Sequence, residues 1–495
     1  MAGDDDENGG NEKTMYSDKI NINILTSLMV AHGVTTVVIC PGSRNAPLAH
    51  NFASCPDMYC VAATDERSAG FYALGLALAS EHPVAVCVTS GSALLNLAPA
   101  VAEAYYREVP LLVISADRPL AMINQLQGQT LPQVGALGAM VKASMQLPEP
   151  HDDLERWHCN RMVNEALLTL RSHGCSPVHV NVPISEPLYN FTIDSLPVER
   201  KICLTPMVAD SSAAKPMLVL GQMARSQWRK AAEAVALLRQ KVVVLAEKLS
   251  DDTDGPLPSL DLLANRAKTH DDLFPDFIIY IGGNLVAKNM RQWLQQAKPR
   301  RSVVVTSTGA VTDVLMNATD MVEAQPHEML QALTANRSYS ASESWLHQWQ
   351  ALQSEVVAEV QVATHDRQNE AIRLFFQAIK GTSMNVHVAN SLSVRMALKY
   401  ADRYLYVNRG VNGIEGSLST AAGHSVMSPC PVACIIGDLS FFYDANALWN
   451  EQLCGNFRVL LLNNQRGEIF SKFKPLADSP ARDTYVMAKH HATAE

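Results

Sequence analysis

Short runs of consecutive apolar residues, closed by small or turn-forming residues and separated by helical stretches, recur along the chain. In the first third they are TTVVIC (35–40), VAVCVT (84–89), PLLVIS (110–115) and PVHVNV (177–182). Hydrophobicity that is continuous rather than alternating marks strands buried on both faces, as in a parallel sheet covered by helices. Between these runs, DERSAGFYALGLALASE (65–81) and SALLNLAPAVAEAYYRE (92–108) have the Ala and Leu content of packed helices. Pro99 should kink the second or lie near its start. A polar, proline-containing stretch at 184–206 reads as a linker. A second series follows: MLVLG (217–221), VVVLAE (242–247), FIIYIGG (277–283) and SVVVTS (302–307). Beyond a polar, helical region at 340–380 comes a third: NVHVAN (385–390), YLYVNRG (404–410), VACIIGD (432–438) and VLLLNN (459–464). The pattern predicts an α/β protein of three tandem doubly wound parallel-sheet domains at 16–190, 205–345 and 365–495, behind a disordered acidic tail at 1–15.

Composition narrows the class without naming it. The chain has 495 residues, 47% hydrophobic and 18% charged, with a formal charge of −9 that argues against a nucleic-acid partner. No apolar run reaches the ~18 residues of a membrane span. The opening MAGDDDENGGNEK has the wrong charge and hydrophobicity for a signal peptide. The ten cysteines form no CxxC pair and several lie inside apolar runs. Buried free thiols of a cytoplasmic protein are expected, rather than disulfides or a zinc site.

Open parallel sheets bind ligands beyond the carboxyl ends of their strands, so the residues following each run carry the chemistry. In CPGSRNAPLA, Gly42 and Ser43 can form a turn and Arg44 can meet an anion, although an ordinary turn with a surface arginine fits equally well. Glu66 opens a helix that soon becomes apolar, a place where the macrodipole alone favours an acid. SGSALLN is a second Gly-Ser turn, and SADRP leads into the amide-rich MINQLQGQT. In the third domain Asp438 follows one strand and Asn464 the next. On parallel strands both reach one edge. With a backbone carbonyl from the 464–467 turn they make an oxygen set suited to Mg²⁺ and unlike a zinc site.

Gly437-Asp438 followed at the next strand end by Asn463-Asn464 resembles the thiamine-diphosphate motif of the decarboxylase and carboligase superfamily, with Leu439 where glycine is commonest. Together with NRGVNGIEGSLSTAAG, CPGSRNAPL, DERSAGFYALGLA, TSGSALLNLAPAVAEA and SADRP, GDLSFFYDANAL resembles the 2-succinyl-5-enolpyruvyl-6-hydroxy-3-cyclohexene-1-carboxylate synthase family of menaquinone biosynthesis. The similarity runs from about residue 16 onward, and in the middle domain it rests mainly on GGNLVAKN.

The resemblance implies a thiamine-diphosphate-binding fold with a pyrimidine-binding first domain and a diphosphate-binding third domain. It implies Mg²⁺, with Mn²⁺ as a substitute, held by Asp438, the Asn464 side chain and the Arg466 carbonyl, while Asn463 serves the turn. Glu66 would hydrogen-bond the aminopyrimidine, its carboxyl raised in pKa by a dry interface. Ile414 would hold the cofactor bent. Ser90, Gly91, Gly437, Leu439, Ser440 and Ile469 complete the cofactor contacts. The implied reaction decarboxylates 2-oxoglutarate and adds the resulting carbanion to isochorismate. Both are dicarboxylates, so Arg44, Arg118, Arg395, Arg409 and Lys288 are the expected cations. Ser43, Gln129 and Ser391 would add polar contacts, and Phe470 and Phe473 an apolar wall. At Asn289 many relatives carry a second basic residue. A homodimer or homotetramer with active sites between subunits is implied, with no membrane span. Because the family continues further past the Asn464 motif, the third domain is expected to lack its C-terminal end. Another carboligase of the acetolactate-synthase kind, or an inactive shortened relative, stays open at this point.

Overall fold

The computed structural model describes residues 15–206, 212–336, 339–360, 362, 366–453, 455–472 and 474–492. The acidic tail therefore lies almost wholly outside the described residues, as does Phe473. The chain divides into two compact units, one of residues up to Leu204 with Gly309–Val311, the other the rest of the chain.

The first unit is built on a parallel sheet whose strands are β1 (Thr36–Ile39), β2 (Tyr59–Ala62), β3 (Val84–Val88), β4 (Leu111–Asp117), β5 (Ala143–Gln146) and β6 (Val178–Pro183). They lie in the order β2-β1-β3-β4-β6-β5. The four apolar runs are the four central strands. The outer pair, β2 and β5, are partly exposed and less apolar, and the hydrophobic pattern does not reveal them. Helices cover both faces. Ile22, Leu25 and Phe52 pack on one, and Ala73, Leu97 and Val101 on the other. The stretch 92–108 breaks into helices Ser92–Asn96 and Ala98–Tyr106, with Pro99 in the first turn of the second, where its missing N–H costs nothing. Part of the stretch read as a linker forms a strand, Phe191–Ile193, paired with Tyr16–Ser17.

The second unit carries two more parallel sheets. The middle one comprises β7 (Pro216–Leu220), β8 (Val243–Ala246), β9 (Phe277–Ile281), β10 (Arg301–Thr306) and β11 (Asp320–Glu323), running β8-β7-β9-β10-β11. The last comprises β12 (Asn385–Val388), β13 (Leu405–Tyr406), β14 (Val432–Gly437) and β15 (Phe457–Leu462), in the order β13-β12-β14-β15. Leu249 and Val286 of the middle domain share one apolar cluster with Ile372, Met396 and Ile435 of the last, so these two sheets are bonded through a common core. Strand β15 lies at an edge, with only Leu462 fully buried among its residues.

All nine described cysteines are free, and five are buried. No described helix is long and apolar enough to cross a membrane.

Candidate functional site

Strands β14 and β15 pair in register as far as Gly437 and Leu462, which brings the residues just past both ends together. Asp438 is almost fully buried at the start of the helix Asp438–Tyr443. Its Oδ1 accepts from its neighbour Leu439 N at 2.8 Å, and its Oδ2 accepts from Asn464 N at 3.0 Å. The Asn464 Oδ1 accepts from Arg466 N at 3.1 Å, while Asn463 Oδ1 accepts from Gln465 N at 3.1 Å, so Asn463 does serve the turn. The Arg466 guanidinium is held by Glu468 at 2.6 Å, which leaves the backbone of residue 466 as its contribution to this edge. Asp438 Oδ1 and Asn464 Oδ1 each accept one hydrogen bond and retain a lone pair, and hard oxygen donors of this kind fit Mg²⁺.

A cavity of about 210 Å³ opens on this loop. Its lining includes Ser391, Ile414, Asp438, Asn464, Ile469 and Phe470. Gly437, Leu439, Ser440 and Arg466 border it as well. Every described third-domain residue expected to touch the cofactor therefore faces one space. Ile414 is 41% exposed, and its carbonyl accepts a hydrogen bond from the Ser440 hydroxyl, which ties the apolar prop to the helix of Asp438.

The expected cations of this unit, Arg409, Arg395 and Lys288, are not among the residues lining that cavity; Arg395 borders a separate small pocket with Glu247, Asp261 and Val286. Arg409 donates from Nη1 to Asn390 Oδ1 at 3.3 Å, and its Nε is buried without a partner. Burial pushes its pKa down. Arg395 donates to the Val286 carbonyl at 3.0 Å and lies 3.6 Å from Asp261. Lys288, exposed, begins the helix Lys288–Gln296. Asn289 donates its backbone N–H to Asp261 Oδ1 at 2.8 Å. Sequence reading passed over Asn390, although it follows β12 directly; it donates to the carbonyls of Asn408 and Gly413, both at 2.7 Å, and so shapes the loop of Arg409. It also passed over His490, whose Nε2 lies 3.1 Å from Asp438 Oδ2. His490 N donates to Gln465 O at 3.1 Å, so the chain past Met487 folds back onto the Asn464 loop.

In the first unit, Glu66 is the first residue of the helix Glu66–Ser80, with Asp65 capping it through Ser68 N at 2.8 Å. Its Oε2 accepts from Asn96 Nδ2 at 3.1 Å, and the side chain is only partly buried within its own chain. Ser90 is buried, and Gly91 has φ 86°. A Cβ on Gly91 would stand 3.2 Å from the Gln129 backbone, a tight approach at a φ that disfavours any side chain. Arg118 donates from Nε to Gly128 O at 3.1 Å, and both Ser43 and Gln129 are exposed. Arg44 differs from the surface arginine that its turn suggested. It is 6% exposed and donates to the Ile184 carbonyl at 3.0 Å and to Glu186 at 3.1 Å.

Beneath these residues lies a buried polar mesh. Gly91 N donates to Gln133 Oε1 at 2.6 Å, and Gln133 Nε2 donates to Asn181 Oδ1 at 2.6 Å. Asn181 donates to Asp117 at 2.8 Å, and Ser115 Oγ lies 2.7 Å from His179 Nε2. Burial pushes His179 down to about 4 and raises Asp117. The signal for this mesh was two polar residues, His179 and Asn181, on one face of an otherwise apolar strand.

Comparison with known proteins gives this arrangement a class. Residues 22–137 match the family model described as the N-terminal thiamine-pyrophosphate-binding domain of thiamine pyrophosphate enzymes, and residues 199–381 match its middle-domain counterpart. The fold and the matches define a thiamine-diphosphate-dependent enzyme. A 2-succinyl-5-enolpyruvyl-6-hydroxy-3-cyclohexene-1-carboxylate synthase from Bacteroides fragilis is 42% identical over 97% of this chain and 89% of its own length. Synthases of the same name from Desulfotalea psychrophila and Porphyromonas gingivalis are 37% and 33% identical, over 95% and 94% of this chain and 90% and 85% of their own lengths. The chain belongs to the 2-succinyl-5-enolpyruvyl-6-hydroxy-3-cyclohexene-1-carboxylate synthase family.

Proposed function

We propose that the chain decarboxylates 2-oxoglutarate and joins the resulting succinyl-semialdehyde carbanion to isochorismate by conjugate addition. The products are 2-succinyl-5-enolpyruvyl-6-hydroxy-3-cyclohexene-1-carboxylate and CO₂, in menaquinone biosynthesis. The observation that carries this reading is the single 210 Å³ cavity onto which Asp438, Asn464, Ile414 and Ser391 all face, in a chain whose relatives bear that synthase's name.

Thiamine diphosphate, when bound, supplies the electron sink that decarboxylation needs. Asp438, Asn464 and the Arg466 carbonyl would hold Mg²⁺, or Mn²⁺ in its place. Glu66 would hydrogen-bond the aminopyrimidine, and Ile414 would support the cofactor from its apolar side. Ser90, Gly91, Gly437, Leu439, Ser440 and Ile469 enclose it. Arg395, Arg409 and Lys288, with Arg118 and Arg44, neutralise the substrate carboxylates, whose charge must be matched where water is excluded. Ser43, Gln129 and Ser391 add hydrogen bonds, and Phe470 and Phe473 an apolar wall. The protein works in the cytoplasm as a homodimer or homotetramer with active sites shared between subunits. The exposure of Phe71, Tyr72 and Leu78 on the helix of Glu66 supports such pairing.

The test is a coupled assay with Mg²⁺, thiamine diphosphate and both substrates. Consumption of isochorismate that requires 2-oxoglutarate and releases one CO₂ is the expected result. A folded, cofactor-loaded protein that leaves isochorismate untouched, or that turns over pyruvate instead, would overturn the proposal.

A further inference from the structure

Three of the cations assigned to the substrates, Lys288, Arg395 and Arg409, come from two sheets of the second unit, and something must set one group against the other. Glu247 stands at the centre of that contact. It follows β8 directly and is 6% exposed, deep enough that burial pushes its pKa up to about 7. Yet it makes no direct hydrogen bond to an arginine. Its Oε2 accepts from Val286 N and its Oε1 from Ala287 N, both at 2.8 Å. Those two residues end the loop that carries Lys288. The Val286 carbonyl, on the other side of the same peptide, takes the Arg395 hydrogen bond at 3.0 Å.

The rest of the loop is fixed as firmly. Gly283 N donates to Gln222 O at 2.8 Å, and Gln222 N donates to Asn284 O at 2.9 Å. A Cβ on Gly221 would overlap the Gly283 carbonyl oxygen, and one on Gly282 would lie 2.7 Å from the Gly221 oxygen. From the loop, Asn284 Nδ2 donates to the Arg409 carbonyl at 3.0 Å. Asp261, half-buried beside Arg395, takes the Asn289 N–H. The field around Glu247 is set by Asp261 and Arg409, with Lys248 beside it in the chain and Tyr280 on β9, beyond β7.

A carboxylate is the one side chain of this length that offers two acceptors to two adjacent backbone N–H groups. Glutamine would turn an NH₂ toward one of them, and aspartate falls one methylene short. A buried charge kept at such a cost, and spent wholly on backbone, is there for placement.

We propose that Glu247 is a positioning residue: by clamping the Val286–Ala287 peptide it sets Lys288, Arg395 and Arg409 in one register toward the substrate carboxylates. The inference rests on the reading that these three cations bind substrate. Glu247 touches no substrate itself. Loosening the clamp therefore weakens substrate binding, while the Asp438 loop keeps its hold on the cofactor.

The experiment compares Glu247→Gln, Glu247→Asp and Asp261→Asn with wild type in the coupled assay, alongside Arg395→Ala and Arg409→Ala. Glu247→Gln should raise KM for at least one dicarboxylate tenfold or more. Its kcat at saturation should stay within threefold, and its affinity for Mg²⁺–thiamine diphosphate within twofold. Glu247→Asp, with the charge but not the reach, should fall between. If Glu247→Gln does not fold, Asp261→Asn decides: a KM raised threefold or more supports the clamp, and an unchanged one overturns it. If the arginine variants raise KM while folded Glu247→Gln does not, the positioning role alone fails. If neither arginine variant raises KM, the substrate-cation reading fails and takes the clamp with it. Parallel losses of kcat and cofactor affinity in Glu247→Gln mark a merely structural residue and also overturn it.

Discussion

Two helices are capped three residues past the ends of their strands on nearly the same backbone: Gly91 at φ 86°, ψ −138° after β3, and Ser391 at φ 70°, ψ −127° after β12. The first sheet fills this position with the residue that adopts it without strain. There a side chain would also crowd the Gln129 backbone, which stands 3.2 Å from where its Cβ would be. The last sheet fills it with serine, which pays of order 1–3 kcal/mol for that region of backbone space. Ser391 faces the 210 Å³ cavity. In the first sheet the turn offers its backbone, and its N–H is anchored in a buried polar mesh. In the last it presents a side chain to the cavity despite the strain.

The largest effect should come from removing that distinction in the first sheet. Gly91→Ser adds both the strained φ and a tight approach to the Gln129 backbone, which must give by a few tenths of an ångström, and should cost roughly 2–4 kcal/mol. Thermal denaturation would show it as a melting temperature lowered by several degrees; an unchanged melting temperature would mean that the turn can relax.

Next comes the mesh beneath Gly91. The folded-state pKa of His179 is depressed to about 4 from the ordinary 6.5, so the neutral imidazole is the form that folding favours. Its contribution is complete above pH 6.5 and is lost as pH falls toward 4, about 3 kcal/mol in all. Wild type should therefore lose more stability over that window than His179→Gln, when both are followed by denaturant melts at each pH. Asp117, raised by burial, works in the opposite sense, so the difference between the two proteins is the quantity to read. Equal slopes would place His179 in a wetter site than the structure gives it.

The smallest stability effect, and the most telling, belongs to Ser391→Gly. Relief of strain should stabilise the protein by about 1 kcal/mol, while KM for a dicarboxylate rises several-fold from the lost hydroxyl. Ser391→Ala, which keeps the strain and loses the hydroxyl, should share the KM change without the stability gain. A glycine variant with unaltered kinetics would leave the serine with no task to set against its cost.

The central strands of all three sheets were legible in the sequence because each is a continuous apolar run. Strands β2, β5 and β11 were not, since short strands bordering loops need not be apolar on both faces. The run at 404–410 was read too long as a strand: only Leu405–Tyr406 pair, and the chain then leaves the sheet to form the loop of Arg409. The Asp438–Asn464 pairing was legible because its chemistry lies in two short contiguous stretches at strand ends. Glu247 was not, because its partners are backbone amides 39 and 40 residues further on, which no side-chain pattern records. Arg44 was half-read: its turn was visible, but the carbonyl and carboxylate that bury it lie 140 and 142 residues away.

Gly221 and Gly282 meet backbone to backbone under the loop that carries Lys288. A substitution can often be accommodated by shrinking a neighbouring side chain, but here the nearest atoms are almost all backbone: the Gly283 and Gly221 carbonyls and the Gln222 carbonyl oxygen, with the Tyr280 hydroxyl as the single side-chain group. A second substitution could remove that hydroxyl, but none removes a carbonyl. In evolutionary terms the route out of this position is narrow, and that holds the spacing between the middle sheet and its cationic loop.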